Sequence, residues 1–414
     1  MNRKEWMDHI KSLNIILFGA GDYAKRFYKD FHNDYNIIGC ITNNPNETIL
    51  SVDDIEVCAI GGVEATIATL PDNVFIVCAS ARAYEMESQL WSLGLIPGRD
   101  YCSSDMFRLI ASEKKIALSY GVCYMRAIHD CLKESLSFSK DYEIYYSLSY
   151  MSRSAAEDAF LKFVVSICDL YLYNITLSLA ERRKQEEVLR YLSTRAKKIS
   201  IPIISSGAYH PQAGTMDKWF NPYGIVSSKT RWGSFTSPDH NVNEMLEKGF
   251  CTDAILETIS DTNYYDVGWL EKRNEDDMRG YAYAESLTNI KISDYLKENR
   301  GIKRLFINES HISNDVIIEI TRRILILLGY TDDLPVTSLL SIQLVNTSEV
   351  PLYPSVIQGL DLEVYKNNPK YSLFTFNGAK EVTFEEYVNL YCDYCRNMMR
   401  YLEEGFFPDA RRHL

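Results

Sequence analysis

The sequence predicts an α/β protein in which two successive regions of parallel sheet are covered by helices. Apolar runs alternate with segments of helical spacing from about residue 13 to residue 107, and a second alternation starts at Ile116. Such alternation is typical of parallel sheets with helices on their faces. At 414 residues the chain is long enough for two or three domains. We therefore expect a first domain at 1–110 and a second at 111–414, which ends in a helical extension.

The first domain opens with a buried strand, a glycine-containing turn and a helix. A turn at 43–46 (Asn-Asn-Pro-Asn) follows the second strand, and Gly94, Pro97 and Gly98 end the pattern. The predicted strands lie at 13–18, 36–42, 55–60 and 74–79, and the predicted helices at 22–32 and 82–93.

The second region begins with the strand that Ile116 opens and Gly121 ends. An apolar helix runs from Asn314 until Gly329 stops it, and prolines at 351 and 354 precede the last helix. The other predicted strands lie at 141–149, 168–174, 199–204 and 304–308, and the other predicted helices at 180–198, 243–260, 267–287 and 383–403.

Composition excludes several classes of protein. The formal net charge of −12 argues against a nucleic-acid partner. No apolar run reaches the roughly 18 residues that a membrane span needs. The first residues lack the apolar core of a signal peptide, so we expect a cytoplasmic protein. The ten cysteines are scattered and predict reduced thiols, and Cys392 with Cys395 marks one face of a helix. We expect no metal site.

A glycine motif, Gly19-x-Gly21-x-x-Ala24, lies between the first strand and the first helix of the pattern. Glycines there allow a tight turn and a close approach to phosphate, and the helix start favours negative charge. Gly19, Gly21 and Asp22 are thus candidate ligand-binding residues. The second strand ends near Asn43 without the carboxylate that an NAD site prefers. A nucleotide-sugar diphosphate and a purely structural turn both remain open.

Cys123 is the main candidate for chemistry. It follows Gly121 in a strand–turn–helix sequence, and such a turn can present a side chain above the carboxyl edge of a sheet. A helix start favours the thiolate, so we expect a lowered pKa and a nucleophilic thiol. The alternative is a small buried thiol, since free cysteine is often buried.

A cysteine nucleophile needs a base that takes its proton. His311 follows a predicted strand at a turn of the same kind, and Asn308 stands three residues before it. We expect Asn308 to orient the imidazole of His311, while a capping or loop histidine is the alternative. His129 is too close to Cys123 along its helix to reach back with ease.

The segment from Ser206 to Pro211 is a third candidate. Gly207 follows an apolar run, and His210 precedes the proline. Backbone N–H groups at such a turn can hold an oxyanion. An ordinary loop is the alternative.

Several segments, in this order, resemble the WcbI-type family of polysaccharide biosynthesis proteins. Residues 121–124 (Gly-Val-Cys-Tyr) resemble the family's Gly-Asn-Cys-Gln signature, and the likeness covers about 116–405. The other matching segments are 203–211 with its final His-Pro, 270–276 followed by 290–294, 304–311 with the helix that ends at 329, and 351–354.

This resemblance implies an SGNH-hydrolase-like α/β fold and binding of coenzyme A or acetyl-CoA. It further implies acyl transfer to a sugar in capsule or exopolysaccharide assembly by a bacterial protein. Cys123 takes the place of the serine nucleophile and His311 that of the late catalytic histidine. The candidate ligand-binding residues are Gly121, Arg126, Arg153, Gly207 and His210, with Arg126 meeting a CoA phosphate.

The chain departs from the family at two places. Val122 and Tyr124 replace the polar residues beside the family's cysteine, and Ser310-His311-Ile312 replaces Asn-His-Pro. Because the amide side chains beside the cysteine are absent, we expect a different substrate, weaker stabilisation of an oxyanion, or no catalysis.

The first domain resembles the Rossmann-like N-terminal domain of sugar O-acyltransferases of the PglD/NeuD kind over about 13–107. That resemblance implies a nucleotide sugar as ligand. The leading hypothesis is an acyl-CoA-dependent acyltransferase that modifies a sugar, a nucleotide sugar or a glycan intermediate, as a homo-oligomer or within a capsule-assembly complex. The alternatives are an esterase or thioesterase, a non-catalytic scaffold that binds CoA or a nucleotide sugar, and an NAD-dependent oxidoreductase.

Overall fold

We analyse the fold in a computed structural model of the chain. The structure describes residues 3–43, 50–52, 55–57, 63, 67, 71, 73–80, 82–150, 153, 155–175, 179–214, 234, 235, 237–330, 347–367, 369–375 and 378–404.

The chain alternates strands and helices in its first half and is mainly helical in its second. The strands are β1 (Asn14–Phe18), β2 (Asn36–Ile41), β3 (Leu50–Val52), β4 (Ile55–Val57), β5 (Val74–Cys78), β6 (Tyr101–Ser103), β7 (Lys115–Gly121), β8 (Tyr142–Leu148), β9 (Leu170–Ile175), β10 (Lys197–Pro202), β11 (Tyr371–Thr375) and β12 (Gly378–Val382). The helices are α1 (Arg3–Lys11), α2 (Asp22–Phe31), α3 (Ala83–Ser92), α4 (Ser104–Ala111), α5 (Tyr124–Glu134), α6 (Leu136–Asp141), α7 (Ala155–Ile167), α8 (Leu179–Leu189), α9 (His240–Glu247), α10 (Thr252–Ile259), α11 (Val267–Ser286), α12 (Ser293–Asn299), α13 (Asn314–Leu328), α14 (Pro354–Gly359) and α15 (Phe384–Glu403), with a 3-10 turn at Glu363–Tyr365.

The first sheet has the order β2-β1-β5-β6, and each neighbouring pair is parallel. The apolar residues of β1 and β5 are buried, as expected for strands covered on both faces. Because the strands run in one direction, their carboxyl ends share one edge of the sheet. The turn that contains Gly19 and Gly21 lies at this edge.

The second sheet has the order β10-β9-β7-β8. β7 is an inner strand that pairs in parallel with β8 and β9. Its apolar residues are buried from Ile116 onward. The central position of β7 places the turn that follows Gly121 between the carboxyl ends of its two neighbours. The α/β class with two parallel four-stranded sheets is therefore confirmed, as is a helical C-terminal region.

The chain divides into two compact units. The first comprises residues 1–129 and 136–199, and the second comprises 130–135 and 200–414. One hydrophobic cluster in the first unit contains side chains from both parallel sheets, among them Phe75 of β5 and Tyr171 of β9. The domain boundary predicted at residue 110 lies within this unit and stays a prediction.

Two predicted helices differ from those observed. The helix expected at 180–198 ends at Leu189, and turns lead from there to the edge strand β10, which begins at Lys197. The helix expected at 243–260 is two helices, α9 and α10. Gly249 lies between them with a φ of 81°, a left-handed conformation that ends α9.

The strand expected at 304–308 is also wrong. There the backbone makes one isolated antiparallel bridge, between Phe306 and Ile312, so the segment folds back on itself around the loop that holds His311. The short strand β4 pairs antiparallel with β3 and lies outside the first parallel sheet. The antiparallel hairpin of β11 and β12 was not predicted. Residues 58–60 of the predicted third strand lie outside the described residues.

The predicted stop of the apolar helix is confirmed. Gly329 caps α13 with a φ of 92°, and its N–H donates to the carbonyls of the last turn. Within the described ranges, none of the helices is both long and apolar enough to span a bilayer.

Candidate active site

Cys123 lies in the turn between β7 and α5, one residue before the helix begins. The backbone N–H of Met125 donates to the carbonyl of Val122 at 2.9 Å, and that of Arg126 donates to Cys123 at 3.1 Å. These bonds form the first helical turn directly after the strand. The thiol is half-buried at the carboxyl edge of the second sheet.

Asn174 holds this turn in place from the end of the neighbouring strand β9. Its Oδ1 accepts the backbone N–H of Val122 at 3.0 Å, and its Nδ2 donates to the hydroxyl of Tyr124 at 2.8 Å. A Cβ at position 121 would lie 2.2 Å from Oδ1 of Asn174. Gly121 is therefore required by the close approach of this side chain.

Two opposing effects set the pKa of the Cys123 thiol. Burial raises the pKa, while the backbone N–H groups of Tyr124 and Cys123 lower it by favouring the thiolate. Burial has the larger effect, so the pKa lies above its ordinary value. The helix start therefore lowers the pKa of Cys123 as expected, but burial raises it by more.

Arg126 and Arg153 both lie near the carboxyl end of β8. Arg126 is exposed, and its guanidinium lies 5.5 Å from the ring centre of Tyr146. Arg153 donates to the hydroxyl of Ser147 at 3.1 Å and lies 5.6 Å from the ring centre of Tyr120. Arg153 is thus held by protein groups, while Arg126 presents its charge to solvent.

The loop around His311 is organised by the side-chain oxygen of Asn308, whose residue is fully buried. This Oδ1 accepts the backbone N–H groups of Ser310 and His311 at 3.0 and 2.9 Å, and it lies 2.9 Å from Nδ1 of His311. Two backbone donors fix the atom as an oxygen, so the facing Nδ1 carries the proton. The free lone pair of the neutral ring is then on Nε2.

Burial lowers the pKa of His311 below its ordinary value. The imidazole is therefore neutral near pH 7 and can accept a proton at Nε2. The predicted contact between Asn308 and the ring of His311 is present, while the catalytic duty of His311 stays a prediction.

Asp277 of α11 anchors the loop that contains Gly207. Its Oδ2 accepts the hydroxyl of Ser206 at 3.1 Å and the backbone N–H of Ala208 at 2.9 Å. The N–H of Gly207 also favours the ionised form of this carboxyl, although burial raises its pKa overall. Arg273 donates to the carbonyl of Gly207 at 3.2 Å. These N–H groups, which were expected to face an oxyanion, here face a carboxylate.

His210 is a core side chain with 2% of its surface exposed. Its Nε2 lies 3.1 Å from the carbonyl of Val350, so this nitrogen is the donor. Burial lowers the pKa of His210 to about 4, which keeps the ring neutral. The geometry assigns it a packing and hydrogen-bonding role, and its predicted contact with a bound ligand stays untested.

In the first sheet, Gly19 has a φ of 117°, and a Cβ there would lie 2.7 Å from the carbonyl oxygen of Ala79. Gly21 is the N-cap of α2 without a side-chain cap, and space is open where its Cβ would be. Asp22 occupies the first turn of α2, where its charge favours the helix start. This turn is tight and open as the motif predicts, and phosphate binding stays a prediction.

The predicted site residues fall into the two units. Cys123, Gly121, Arg126 and Arg153 belong to the first unit, whereas Asn308, His311, Gly207 and His210 belong to the second. The pairing of Cys123 with His311 therefore stays a prediction.

Sequence reasoning missed Asn174 and Asp277. Asn174 carried a usable signal, since it is a polar residue at the end of an apolar strand. Asp277 lies on a charged helix surface among Glu275, Asp276 and Arg279, and no local pattern distinguishes it.

Comparison with known proteins finds a solved structure of similar fold. No family model matches the chain, and no curated protein matches it either. A solved structure of WcbI, a polysaccharide biosynthesis enzyme, is similar with a TM-score of 0.53 and 16% identity, over 72% of this chain and 97% of that one. It is the native protein without a disulfide bond between coenzyme A and one of its cysteines. At this identity the likeness shows the fold alone.

Proposed function

We propose that this protein transfers an acyl group from acyl-CoA to a sugar during polysaccharide assembly. The observation that carries the proposal is the position of Cys123. Its thiol lies at a helix start beside the carboxyl end of an inner strand, in a fold similar to that of WcbI. The WcbI structure is described as the protein without a disulfide bond between coenzyme A and one of its cysteines. The finer fold that we propose for 111–414 is the SGNH-hydrolase-like one.

In this proposal Cys123 is the nucleophile and His311 is the base. Sγ attacks the thioester carbonyl as its proton passes to Nε2 of His311, and CoA leaves as a thiol that takes this proton. A sugar hydroxyl then attacks the acyl-cysteine and gives its proton to Nε2, the acyl C–S bond breaks, and the leaving Sγ takes this proton, which restores the thiol and the neutral imidazole. The raised pKa of Cys123 makes a base necessary, because little thiolate forms on its own.

Charge near the turn favours an anionic substrate. Arg126 is exposed on the helix that follows Cys123 and could meet a phosphate of CoA, while Arg153 is held more tightly by Ser147. The open turn at Gly19 and Gly21 would take a nucleotide sugar. A cytoplasmic location, where acyl-CoA is found, belongs to the same proposal.

Replacing Cys123 by alanine tests this function. We expect acyl-CoA turnover to fall by at least about 100-fold, since removal of a covalent nucleophile leaves only binding and proton transfer. The matched control is Cys251→Ala, which removes an exposed thiol of the second unit. Undiminished turnover in the Cys123→Ala protein would show that Cys123 is not the nucleophile.

A second candidate is a non-catalytic protein that binds CoA. The raised pKa of Cys123 and the engagement of the Val122 N–H by Asn174 favour it, since both weaken acyl transfer. Titration with CoA by calorimetry separates the two functions. Binding of CoA without any turnover of acyl-CoA would establish the second and exclude the first.

A further inference from the structure

A cleft of about 470 Å³ lies in the second unit beside the loop that contains Gly207. Its volume falls within the range of small-molecule sites, which is about 300–1,000 Å³. Ser206 and Tyr209 of the loop line one side of the cleft, and helices α11 and α12 line others. Met278, Leu296 and Phe306 supply apolar lining.

Several polar groups of the cleft have no protein partner within the described part of the chain. Tyr209 is only 3% exposed, and its buried hydroxyl makes no hydrogen bond. Asn274, Glu275 and Lys297 also line the cleft, and in that part of the chain their side chains form no hydrogen bond or ion pair with another residue. The lining thus offers both donors and acceptors beside apolar surface.

The charges of the cleft are nearly balanced. Arg300 lies 2.7 Å from a carboxylate oxygen of Glu271, and Arg279 pairs with Asp276. Lys297 and Glu275 add one cation and one anion to the same lining. A phosphate or nucleotide site would need cations that carboxylates do not already compensate.

We propose that this cleft binds a neutral sugar ring. Hydroxyl groups of a sugar both donate and accept hydrogen bonds, which suits Asn274, Glu275, Lys297 and the hydroxyl of Tyr209. The C–H faces of the ring suit the apolar lining. The inference rests on the proposed function where it treats this sugar as the acyl acceptor. It makes the ligand of this cleft a neutral glycan unit, distinct from the nucleotide sugar proposed for the turn at Gly19 and Gly21.

Sugar binding to the full-length protein, without CoA, tests the cleft. Saturation-transfer NMR would use glucose, galactose, mannose and N-acetylglucosamine as probes, with UDP-glucose as the nucleotide-sugar comparison. We expect at least one neutral probe to bind, and we expect Glu275→Gln to weaken its binding about tenfold through loss of a charged hydrogen bond. Failure of all neutral probes to bind would overturn the proposal.

Glu298→Gln is the matched control, because Glu298 is exposed on α12 beside Lys297 but does not line the cleft. Equal weakening in both variants, or binding of UDP-glucose alone, would also overturn the proposal. Tyr209→Phe is a second probe, expected to weaken the sugar several-fold without lowering the melting temperature.

The two proposals fail separately. Sugar binding that depends on Glu275 in a protein whose Cys123→Ala variant keeps full acyl-CoA turnover would remove the proposed function and keep the cleft. Acyl-CoA turnover that depends on Cys123, in a protein that binds none of the sugars, would keep the proposed function and remove the sugar site.

Discussion

At the scale of single residues, the reactivity of Cys123 is decided by burial against two backbone N–H groups. Burial raises its pKa more than the N–H groups of Cys123 and Tyr124 lower it. A thiol with a raised pKa has less thiolate at neutral pH, and the thiolate is the reactive form. The tautomer of His311 leaves a lone pair on Nε2 of a neutral ring, so this nitrogen can accept a proton.

We therefore predict that alkylation of Cys123 by iodoacetamide is slow at pH 7. Its rate should keep rising with pH beyond 9.0, which is the ordinary pKa of a cysteine thiol. The measurement is the alkylation rate by mass spectrometry across this pH range. A Cys251→Ser background removes the exposed competing thiol. A rate that has already reached its plateau at pH 7 would show a lowered pKa and would mean that the backbone N–H groups outweigh burial.

At the scale of elements, the strand–turn–helix of β7 and α5 depends on the absence of a side chain at Gly121. Asn174 reaches the turn from β9 and bonds to both Val122 and Tyr124. Gly121 leaves the room that this contact needs. Gly329 also has a positive φ, but space is open around it. Both glycines have a positive φ, so the close contact with Asn174 is what distinguishes Gly121 from Gly329.

Gly329→Ala should lower the free energy of unfolding by about 1 kcal/mol, the usual cost of a left-handed alanine. Gly121→Ala should cost about 3 kcal/mol, because the side chain of Asn174 must also move and its hydrogen bonds are lost. Chemical denaturation measures both values, and acyl-CoA turnover should fall only in Gly121→Ala. Equal costs would argue against the close contact with Asn174.

At the scale of the whole molecule, the two parallel sheets of the first unit share one hydrophobic cluster. Trp6 of α1 lies 5.7 Å from Phe75 of β5 and 6.1 Å from Phe163 of α7, measured between ring centres. A Cβ at Gly98 would lie 2.9 Å from the ring of Phe163. These contacts join residues on both sides of the boundary predicted at residue 110.

A chain that begins at residue 111 should consequently fail to fold cooperatively. Removal of 1–110 exposes large aromatic side chains, each of which buries about 150–250 Å². Thermal unfolding and binding of a hydrophobic dye would measure the effect. Co-expression of 1–110 as a separate chain should restore solubility. A sharp thermal transition for 111–414 alone would show instead that the predicted boundary separates independent domains.

Local patterns were sufficient for most elements. β1, β5, β7 and α13 lie within a residue or two of their predicted bounds, because apolar periodicity and flanking glycines are properties of the local sequence. The error at 304–308 has a physical reason: Leu305, Phe306 and Ile307 are buried, but their backbone makes only one isolated bridge and joins no sheet. Burial alone does not distinguish a strand from such a loop.

The sequence by itself determined the α/β class, the turn that carries Cys123 and the presence of Asn308 close to His311. Each depends on residues that are near one another in the chain. Only the tertiary structure decided which groups surround these turns. Val122 meets Asn174 across 52 residues, and Ala208 meets Asp277 across 69. Burial of the Cys123 thiol, the engaged N–H groups at Gly207 and the cleft beside Tyr209 all depend on such distant contacts, which no local pattern encodes.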